Sequence, residues 1–205
     1  MLFIIYTMKK ILRILIIIIL YIFLWPFLLK TIKGNQKYQL KNKRIIIANH
    51  YSNWDAFLIK TLFIRKKIRF VTISTVKKNP MTHFLAWLFD SIYIDVESHY
   101  NLNYFKECIK ELNNEGIICI FPEGIINTRG YGFFEFKTSY LLIAKKTEAN
   151  ILPIYLEPSK KAFKKSVMYI GEELTNEMFL KDKSIEDLNY EVLGLFMEYS
   201  TYKDN

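Results

Sequence analysis

Arg44-Ile45-Ile46-Ile47-Ala48-Asn49-His50-Tyr51-Ser52-Asn53-Trp54-Asp55 is the stretch that decides the fold. Its first five residues form a short apolar run of strand length, and a helical pattern begins near Trp54. The sequence therefore predicts a buried strand that ends at Asn49-His50 and turns directly into a helix. This turn places an imidazole and a carboxylate at the mouth of the strand.

Outward from this stretch, apolar runs and helical patterns alternate at short spacing. Strands are predicted at 44–48, 69–73, 91–95, 116–121, 151–156 and 166–170, and helices at 54–64, 80–89, 100–114, 137–148 and 184–202. Such alternation is typical of an α/β layered domain. We expect a central, mostly parallel mixed sheet flanked by helices over residues 44–205, preceded by a membrane-associated segment and polar connector at 1–43. With 205 residues, 51% of them hydrophobic, the chain suffices for one such core.

The excess positive charge lies at the N-terminal end. The net charge is +9, and residues 1–44 carry nine Lys or Arg and no acid, whereas residues 45–205 carry 20 of each sign. The balanced remainder offers no basic stripe, so we expect no nucleic acid as a partner. The N-terminal charges flank the apolar segment 11–29, whose only ionised residue is Arg13. The partner that this pattern indicates is a membrane lipid.

Several placements of segment 11–29 stay open. As a helix it would be about 28 Å long, close to the roughly 30 Å hydrocarbon core of a bilayer. Pro26 and the basic residues on both sides fit a bent interfacial segment equally well. A signal peptide is a further interpretation, but bulky residues 25–29 offer no small-x-small cleavage site; a buried core helix is another. We expect an anchor at the inner, cytoplasmic membrane, with the catalytic domain on its cytoplasmic side.

The two cysteines point to no special chemistry. Cys108 falls in a predicted helix and Cys119 inside an apolar run. Their number and placement indicate neither a disulfide framework nor a metal site. We expect no metal and no bound cofactor.

His50 and Asp55 can form a base and its orienting partner. Residues five apart on one helix lie about 140° apart around its axis, but across a strand-to-helix turn they can meet. The carboxylate would then fix the imidazole tautomer and leave the other nitrogen to take a proton from a hydroxyl within about 2.6–3.2 Å. The plain alternative is a helix-start Asp beside a surface His.

A second polar loop, Phe121-Pro122-Glu123-Gly124, also follows an apolar strand. Loops at the carboxyl ends of strands in one α/β sheet face a shared crevice. Gly124 permits a positive φ or a close backbone approach, and Glu123 offers an acceptor for a ligand hydroxyl or a neighbouring base. The alternative is a tight Pro-Gly turn with a solvated Glu.

Together these motifs resemble the glycerolipid acyltransferases, which act on glycerol phosphate and lysophospholipids. Asn49-His50-(four residues)-Asp55 is similar to the family's first motif and Phe121–Gly124 to its third. Leu152-Pro153-Ile154 is similar to the fourth, and Phe136-Lys137 stands where the family often has a Phe-Lys pair. The resemblance covers roughly residues 43–175.

The resemblance implies transfer of a fatty acyl group from a thioester on coenzyme A or acyl carrier protein. The acceptor would be the hydroxyl of a lysophospholipid such as 1-acyl-glycerol 3-phosphate. His50 would be the general base and Asp55 its partner, with no acyl-enzyme. Glu123 and Gly124 would position the acceptor, and Trp54 and Pro153 are expected to contact the acyl chain.

Two departures from the family pattern concern the acceptor. The second motif usually ends in an Arg sixteen residues after a Pro, but that position here is Val96. The third usually continues with Thr-Arg-Ser, but residues 125–127 are Ile-Ile-Asn. Bidentate arginines are strong phosphate ligands, so their absence leaves the headgroup open. The candidates to replace them are Lys77, Arg129 and Lys137, unless these are solvated loop charges. An acceptor without a phosphate monoester, or a non-catalytic lipid-binding relative, is the alternative.

Overall fold

The computed structural model describes residues 2–24, 30–95, 102–158, 166–179 and 183–201. The helices are α1 (Leu2–Leu24), α2 (Asp55–Leu62), α3 (Pro80–Leu88), α4 (Leu102–Asn113), α5 (Ser139–Thr147) and α6 (Ile185–Thr201). The strands are β1 (Lys30–Gly34), β2 (Arg44–Ala48), β3 (Arg69–Ile73), β4 (Ile92–Ile94), β5 (Ile117–Ile120), β6 (Asn150–Leu156) and β7 (Ser166–Ile170). Short 3-10 helices cover Ser74–Lys78 and Asn176–Phe179.

The described strands form one sheet with the order β1-β7-β6-β2-β5-β3-β4. Every neighbouring pair is parallel except β6 and β7, which are antiparallel. This confirms the predicted mostly parallel mixed sheet flanked by helices. In the central strand, Arg44 pairs with Ile117 of β5 and with Asn150 of β6. The carboxyl ends of these three strands therefore meet at one edge of the sheet.

The core lies on both faces of the sheet. Ile45 and Ile47 pack with α4, α5 and α6 on one face, and Ile46 and Ala48 pack with α2 and α3 on the other. A parallel strand buried on both faces needs apolar side chains at successive positions. This explains why β2 is an uninterrupted apolar run instead of an alternating one.

The edge strand β1 was not predicted. The sequence predicted a membrane-associated segment and a polar connector over 1–43, but residues 30–34 pair with β7 from Lys30↔Ser166 to Gly34↔Ile170. The five residues of β1 are Lys, Thr, Ile, Lys and Gly, so Ile32 is the one large apolar residue of the strand. An edge strand tolerates such polar composition, and charged side chains on an exposed edge discourage pairing with other chains. The sequence of β1 therefore shows no apolar pattern from which its pairing with β7 could be predicted.

The N-terminal segment forms a helix that packs on the face carrying α2 and α3. Ile16, Ile17 and Leu20 contact that core. Arg13 also faces the domain, where its Nη1 lies 2.9 Å from Asp90 Oδ1. Across the ranges that the structure describes, no helix has the length and apolar character needed to cross a bilayer. Residues 25–29 of the predicted apolar segment lie outside those ranges, and its membrane contact stays a prediction.

Candidate active site

The end of β2 is fixed to the end of β6 by a buried amide. Asn49 Nδ2 donates to the carbonyl of Leu156 at 2.8 Å, and its Oδ1 accepts from the Leu156 amide at 2.7 Å. The side chain is completely buried, so both bonds form away from water. Asn49 belongs to the first sequence motif, where no role was predicted for it. The structure shows that it fixes the position from which His50 leaves the sheet.

His50 and Asp55 meet as predicted across the turn between β2 and α2. His50 Nδ1 lies 2.9 Å from Asp55 Oδ2. The same oxygen accepts from the backbone amides of Tyr51 at 2.7 Å and Ser52 at 2.8 Å. Asp55 is the first residue of α2 and only 3% exposed, and a negative charge is favourable at a helix N-terminus. A carboxylate only accepts, so Nδ1 carries the imidazole proton and Nε2 is left as an acceptor.

The imidazole stacks on an aromatic ring and borders a cavity. The rings of His50 and Phe121 have centroids 4.1 Å apart and planes 15° apart. Phe121 in turn stacks on Phe70 at 6.4 Å, and Phe70 contacts Phe89 at 5.0 Å. The cavity of about 230 Å³ runs between the ends of β3 and β5 and helix α3. It joins the candidate base to a mainly apolar space.

Glu123 braces the backbone of His50. Its Oε1 accepts from the His50 amide at 3.0 Å and its Oε2 from the Phe134 amide at 2.8 Å. Burial raises the pKa of this carboxyl, while the two backbone hydrogen bonds act in the opposite direction. Since both oxygens are used within the protein and the side chain is 3% exposed, the carboxylate does not border the cavity. Its predicted contact with the acceptor stays a prediction, and the bracing role is new.

Asn127 completes this brace. Its backbone amide donates to the carbonyl of His50 at 2.6 Å, and its Nδ2 donates to the carbonyl of Gly132 at 3.1 Å. Nδ2 also lies 3.5 Å from Glu123 Oε2. In the sequence, residue 127 stands out only as a departure from the family pattern. Its bond to His50 joins residues 77 positions apart, so no local sequence signal could have revealed that contact.

Gly124 and Lys137 adjoin each other at the cavity wall. Gly124 has φ +72°, and a Cβ built on it would lie 2.8 Å from Lys137 Nζ. The left-handed backbone favours glycine, and a side chain here would also displace the end of Lys137. Among the described residues that border this cavity, Lys137 is the only Lys or Arg.

The other predicted contacts lie outside the cavity lining. Lys77 is exposed, with Nζ 4.5 Å from the centre of the Tyr93 ring. Arg129 is exposed on a loop, and its guanidinium lies 4.2 Å from the centre of the Phe134 ring. Trp54 is 43% exposed at the start of α2. Their roles stay predictions.

Pro153 lies within β6, where it pairs with Ile47 of β2. It does not line the cavity. Its carbonyl accepts from the Gly171 amide at 2.9 Å. The N–H and C=O of one strand residue point to the same side of the strand. Because the Pro153 carbonyl points toward Gly171, the N–H that proline lacks would also point there and not toward β2. The pairing with β2 therefore loses no hydrogen bond. The position explains how a central strand tolerates proline. Its acyl contact stays a prediction.

Neither cysteine is placed to act as a nucleophile. Cys108 and Cys119 are buried and free, and neither borders the cavity. Burial raises the pKa of Cys108 to about 12, so this thiol is protonated at neutral pH. Within the described ranges, no three His, Cys, Asp or Glu side chains are grouped so as to hold a metal ion.

Comparisons with known proteins bear on the family and the fold. A family model described as Acyltransferase matches residues 30–157. The Caenorhabditis elegans protein acl-2, assigned by name as a 1-acyl-sn-glycerol-3-phosphate acyltransferase, is 24% identical over 154 residues, covering 73% of this chain and 53% of the relative. The chain thus spans about half the length of that curated relative. The crystal structure of PlsC, the 1-acyl-sn-glycerophosphate acyltransferase of Thermotoga maritima, shares the fold, with a TM-score of 0.64 at 22% identity over 89% of this chain and 77% of that one.

Proposed function

This chain belongs to the acyltransferase family, and we propose that it transfers a fatty acyl group from an acyl thioester to the hydroxyl of a lysophospholipid. The single observation that carries the proposal is the hydrogen-bonded pair of His50 and Asp55, 2.9 Å apart, at the mouth of an apolar cavity. An acceptor such as 1-acyl-glycerol 3-phosphate presents a hydroxyl that needs a base. The acyl chain of the donor needs an apolar space.

In the proposed reaction, His50 Nε2 takes the acceptor's hydroxyl proton as the oxygen attacks the thioester carbon. The tetrahedral intermediate then breaks its C–S bond, and the leaving thiolate takes the proton from Nε2. The products are an ester and a free thiol, and His50 returns to its starting state. Asp55 stabilises the imidazolium that exists between these steps. A positioned general base contributes about 10²–10⁴-fold to such a rate.

The acyl chain is proposed to enter the cavity beside His50. Phe70, Val76, Leu85 and Ile94 supply apolar surface there. Coenzyme A or acyl carrier protein would carry the thioester as a co-substrate, so the reaction needs no resident cofactor.

Two kinds of acceptor headgroup are candidates: one with a phosphate monoester and one without. A phosphate monoester would be bound by Lys137 at the cavity wall, aided by Lys77 of the 3-10 helix Ser74–Lys78 and by the guanidinium of the loop residue Arg129. The presence of a single cation among the described cavity-lining residues favours the alternative, an acceptor without a phosphate monoester. A direct comparison of the two acceptors distinguishes them.

We further propose that the enzyme acts at the inner face of the cytoplasmic membrane, where such acceptors reside. Support comes from α1, whose outward side chains Ile11, Leu15 and Ile22 are 52%, 51% and 64% exposed. Lys9 and Lys10 on the same helix would lie near anionic headgroups.

The test is an acyl-transfer assay with purified full-length protein, acyl-coenzyme A or acyl carrier protein as donor, and a panel of lysophospholipids with glycerol 3-phosphate. Product ester and released thiol are measured together. His50→Ala is expected to lower the rate by about 10²–10⁴-fold. His83→Ala is the matched control, because His83 is an exposed histidine on α3.

Transfer by the wild type that survives His50→Ala would exclude the proposed base. Lipid binding without transfer from any donor would instead identify a non-catalytic relative.

A further inference from the structure

A second and larger cavity lies at the opposite end of the sheet from His50. This basal groove, of about 770 Å³, runs between residues 9–18 of α1, residues 60–68 at and after the end of α2, and residues 88–90 after α3. Ile68 lies next to the first residue of β3, whereas His50 follows the last residue of β2. Strands β2 and β3 both run parallel to β5, so the five residues of a strand, or about 15 Å along the strand direction, lie between the groove at Ile68 and His50. The two cavities adjoin at Phe89, which lines both, but His50, Asp55, Glu123 and Lys137 do not line the basal groove.

The groove is strongly basic. Its lining contains Lys9, Lys10, Arg13, Lys60, Arg65, Lys66 and Lys67 but one acid, Asp90. Asp90 is already engaged, by Arg13 at 2.9 Å and by Lys67 at 3.2 Å. Among the described residues, Lys9, Lys10 and Arg65 have no carboxylate within ion-pair distance. The groove therefore carries positive charge that the protein leaves uncompensated.

Lys60 is buried, and Arg13, whose side chain is 21% exposed, contains one buried donor without an acceptor. Lys60 is 6% exposed, and its Nζ donates to the carbonyls of Ile64, at 3.1 Å, and Lys66, with no carboxylate beside it. Burial lowers the pKa of Lys60 to about 8. The Nε of Arg13 is buried and has no hydrogen-bond partner. Buried charge and buried donors are costly when unpaired, so an anion in the groove would stabilise both.

The groove is also apolar along one wall. Ile14, Ile17 and Ile18 of α1 and Leu88 line it. Ile18 is 43% exposed and continues outward into the exposed isoleucines of α1. A free inorganic anion would use the cations and leave this wall in water. A ligand with an anionic head and an apolar tail matches both parts.

We propose that the basal groove binds an anionic membrane phospholipid, with the phosphate among the cations and the start of an acyl chain along the wall formed by α1. This is a second lipid site, separate from the reacting lipids. It does not depend on the proposed acyl transfer, because it is measured as binding.

The test compares vesicle binding by full-length protein and two double variants. Vesicles are made of phosphatidylcholine alone or of equimolar phosphatidylcholine and phosphatidylglycerol. Lys10→Gln with Arg65→Gln removes one unpaired cation from each side of the groove. Lys145→Gln with Lys146→Gln is the matched control: it removes the same charge from exposed positions on α5, which packs against the other face of the sheet. A parallel arm measures binding of inorganic phosphate.

Each basic side chain near an anionic surface contributes about fivefold in affinity, so the groove variant should bind anionic vesicles about 30-fold more weakly. The control should bind like the wild type, and vesicles of phosphatidylcholine alone should bind all three proteins equally. Equal losses in both double variants would show diffuse surface attraction and overturn the site. Binding of inorganic phosphate as tight as vesicle binding would overturn the lipid as its ligand.

Discussion

Replacing Asp55 by asparagine is expected to lower kcat about 5- to 30-fold while the protein stays folded. Asp55 Oδ2 accepts from His50 Nδ1 at 2.9 Å and from the amides of Tyr51 and Ser52 at 2.7 and 2.8 Å. Two fixed backbone donors at this position require an oxygen there. The asparagine oxygen must therefore replace Oδ2, which keeps the proton on Nδ1 and the same tautomer. The change removes only the negative charge.

The size of the effect follows from the kind of hydrogen bond that is lost. A hydrogen bond to a charged group contributes about 1.5–3 kcal/mol, against about 0.5–1.5 kcal/mol for a neutral one. The difference of about 1–2 kcal/mol acts when His50 carries two protons, which is in the transition state. It therefore lowers kcat and leaves KM nearly unchanged.

The assay is steady-state acyl transfer with Asp55→Asn, Asp55→Ala and the control Glu135→Gln, which makes the same acid-to-amide change at an exposed residue of a loop near the site. Asp55→Ala leaves the Tyr51 and Ser52 amides without acceptors. It should also lower the free energy of unfolding, by about 1–3 kcal/mol for each amide. A raised KM with unchanged kcat in Asp55→Asn, or identical activity in both Asp55 variants, would refute this reasoning.

Three further perturbations test the surroundings of the site and the basal groove. Glu123→Gln should lower the free energy of unfolding by about 1–3 kcal/mol, because an amide cannot accept from both backbone N–H groups. It should lower kcat, whereas a raised KM alone in acyl-transfer kinetics would support acceptor binding by Glu123. Gly124→Ala should cost about 1–2 kcal/mol in urea unfolding, since φ is +72° and the new methyl displaces Lys137; an unchanged midpoint would contradict this. For Lys60, whose pKa is lowered to about 8, the unfolded chain holds a proton that the folded chain has lost. Its contribution to the free energy of unfolding should thus rise between about pH 8 and 10. Urea unfolding of Lys60→Met should lack this rise, and parallel pH profiles for both proteins would exclude it.

The sequence predicted the strands that appear in it as apolar runs. The observed β2 and β3 have the predicted bounds, and β5 and β6 lie within one residue of them. Strands β2, β5 and β6 are buried over nearly their whole length, and burial on both faces leaves an apolar record at successive positions, whereas in β3 only Phe70 and Val71 are buried. Strand β1 leaves no such record, because its polar residues are held by backbone pairing with β7.

The candidate site likewise has one part that the sequence predicted and one part that it did not. The meeting of His50 and Asp55 was predictable because both lie on one turn. The brace formed by Glu123 and Asn127 was not, because its hydrogen bonds to His50 join residues more than seventy positions apart. Which side of a strand-end loop a carboxylate faces is decided by tertiary packing. The sequence showed that Glu123 was near the site but not that it points inward.

The rings of His50, Phe121, Phe70 and Phe89 contact one another in succession from the active-site end of the sheet into its core. All four residues border the cavity of about 230 Å³, but each ring also rests against the next, so a ring flip requires a neighbouring ring to move and should be slow compared with the flips of exposed aromatic side chains. The imidazole is thus held in its working orientation before any substrate arrives. Little reorganisation of the base is then needed at the moment of reaction.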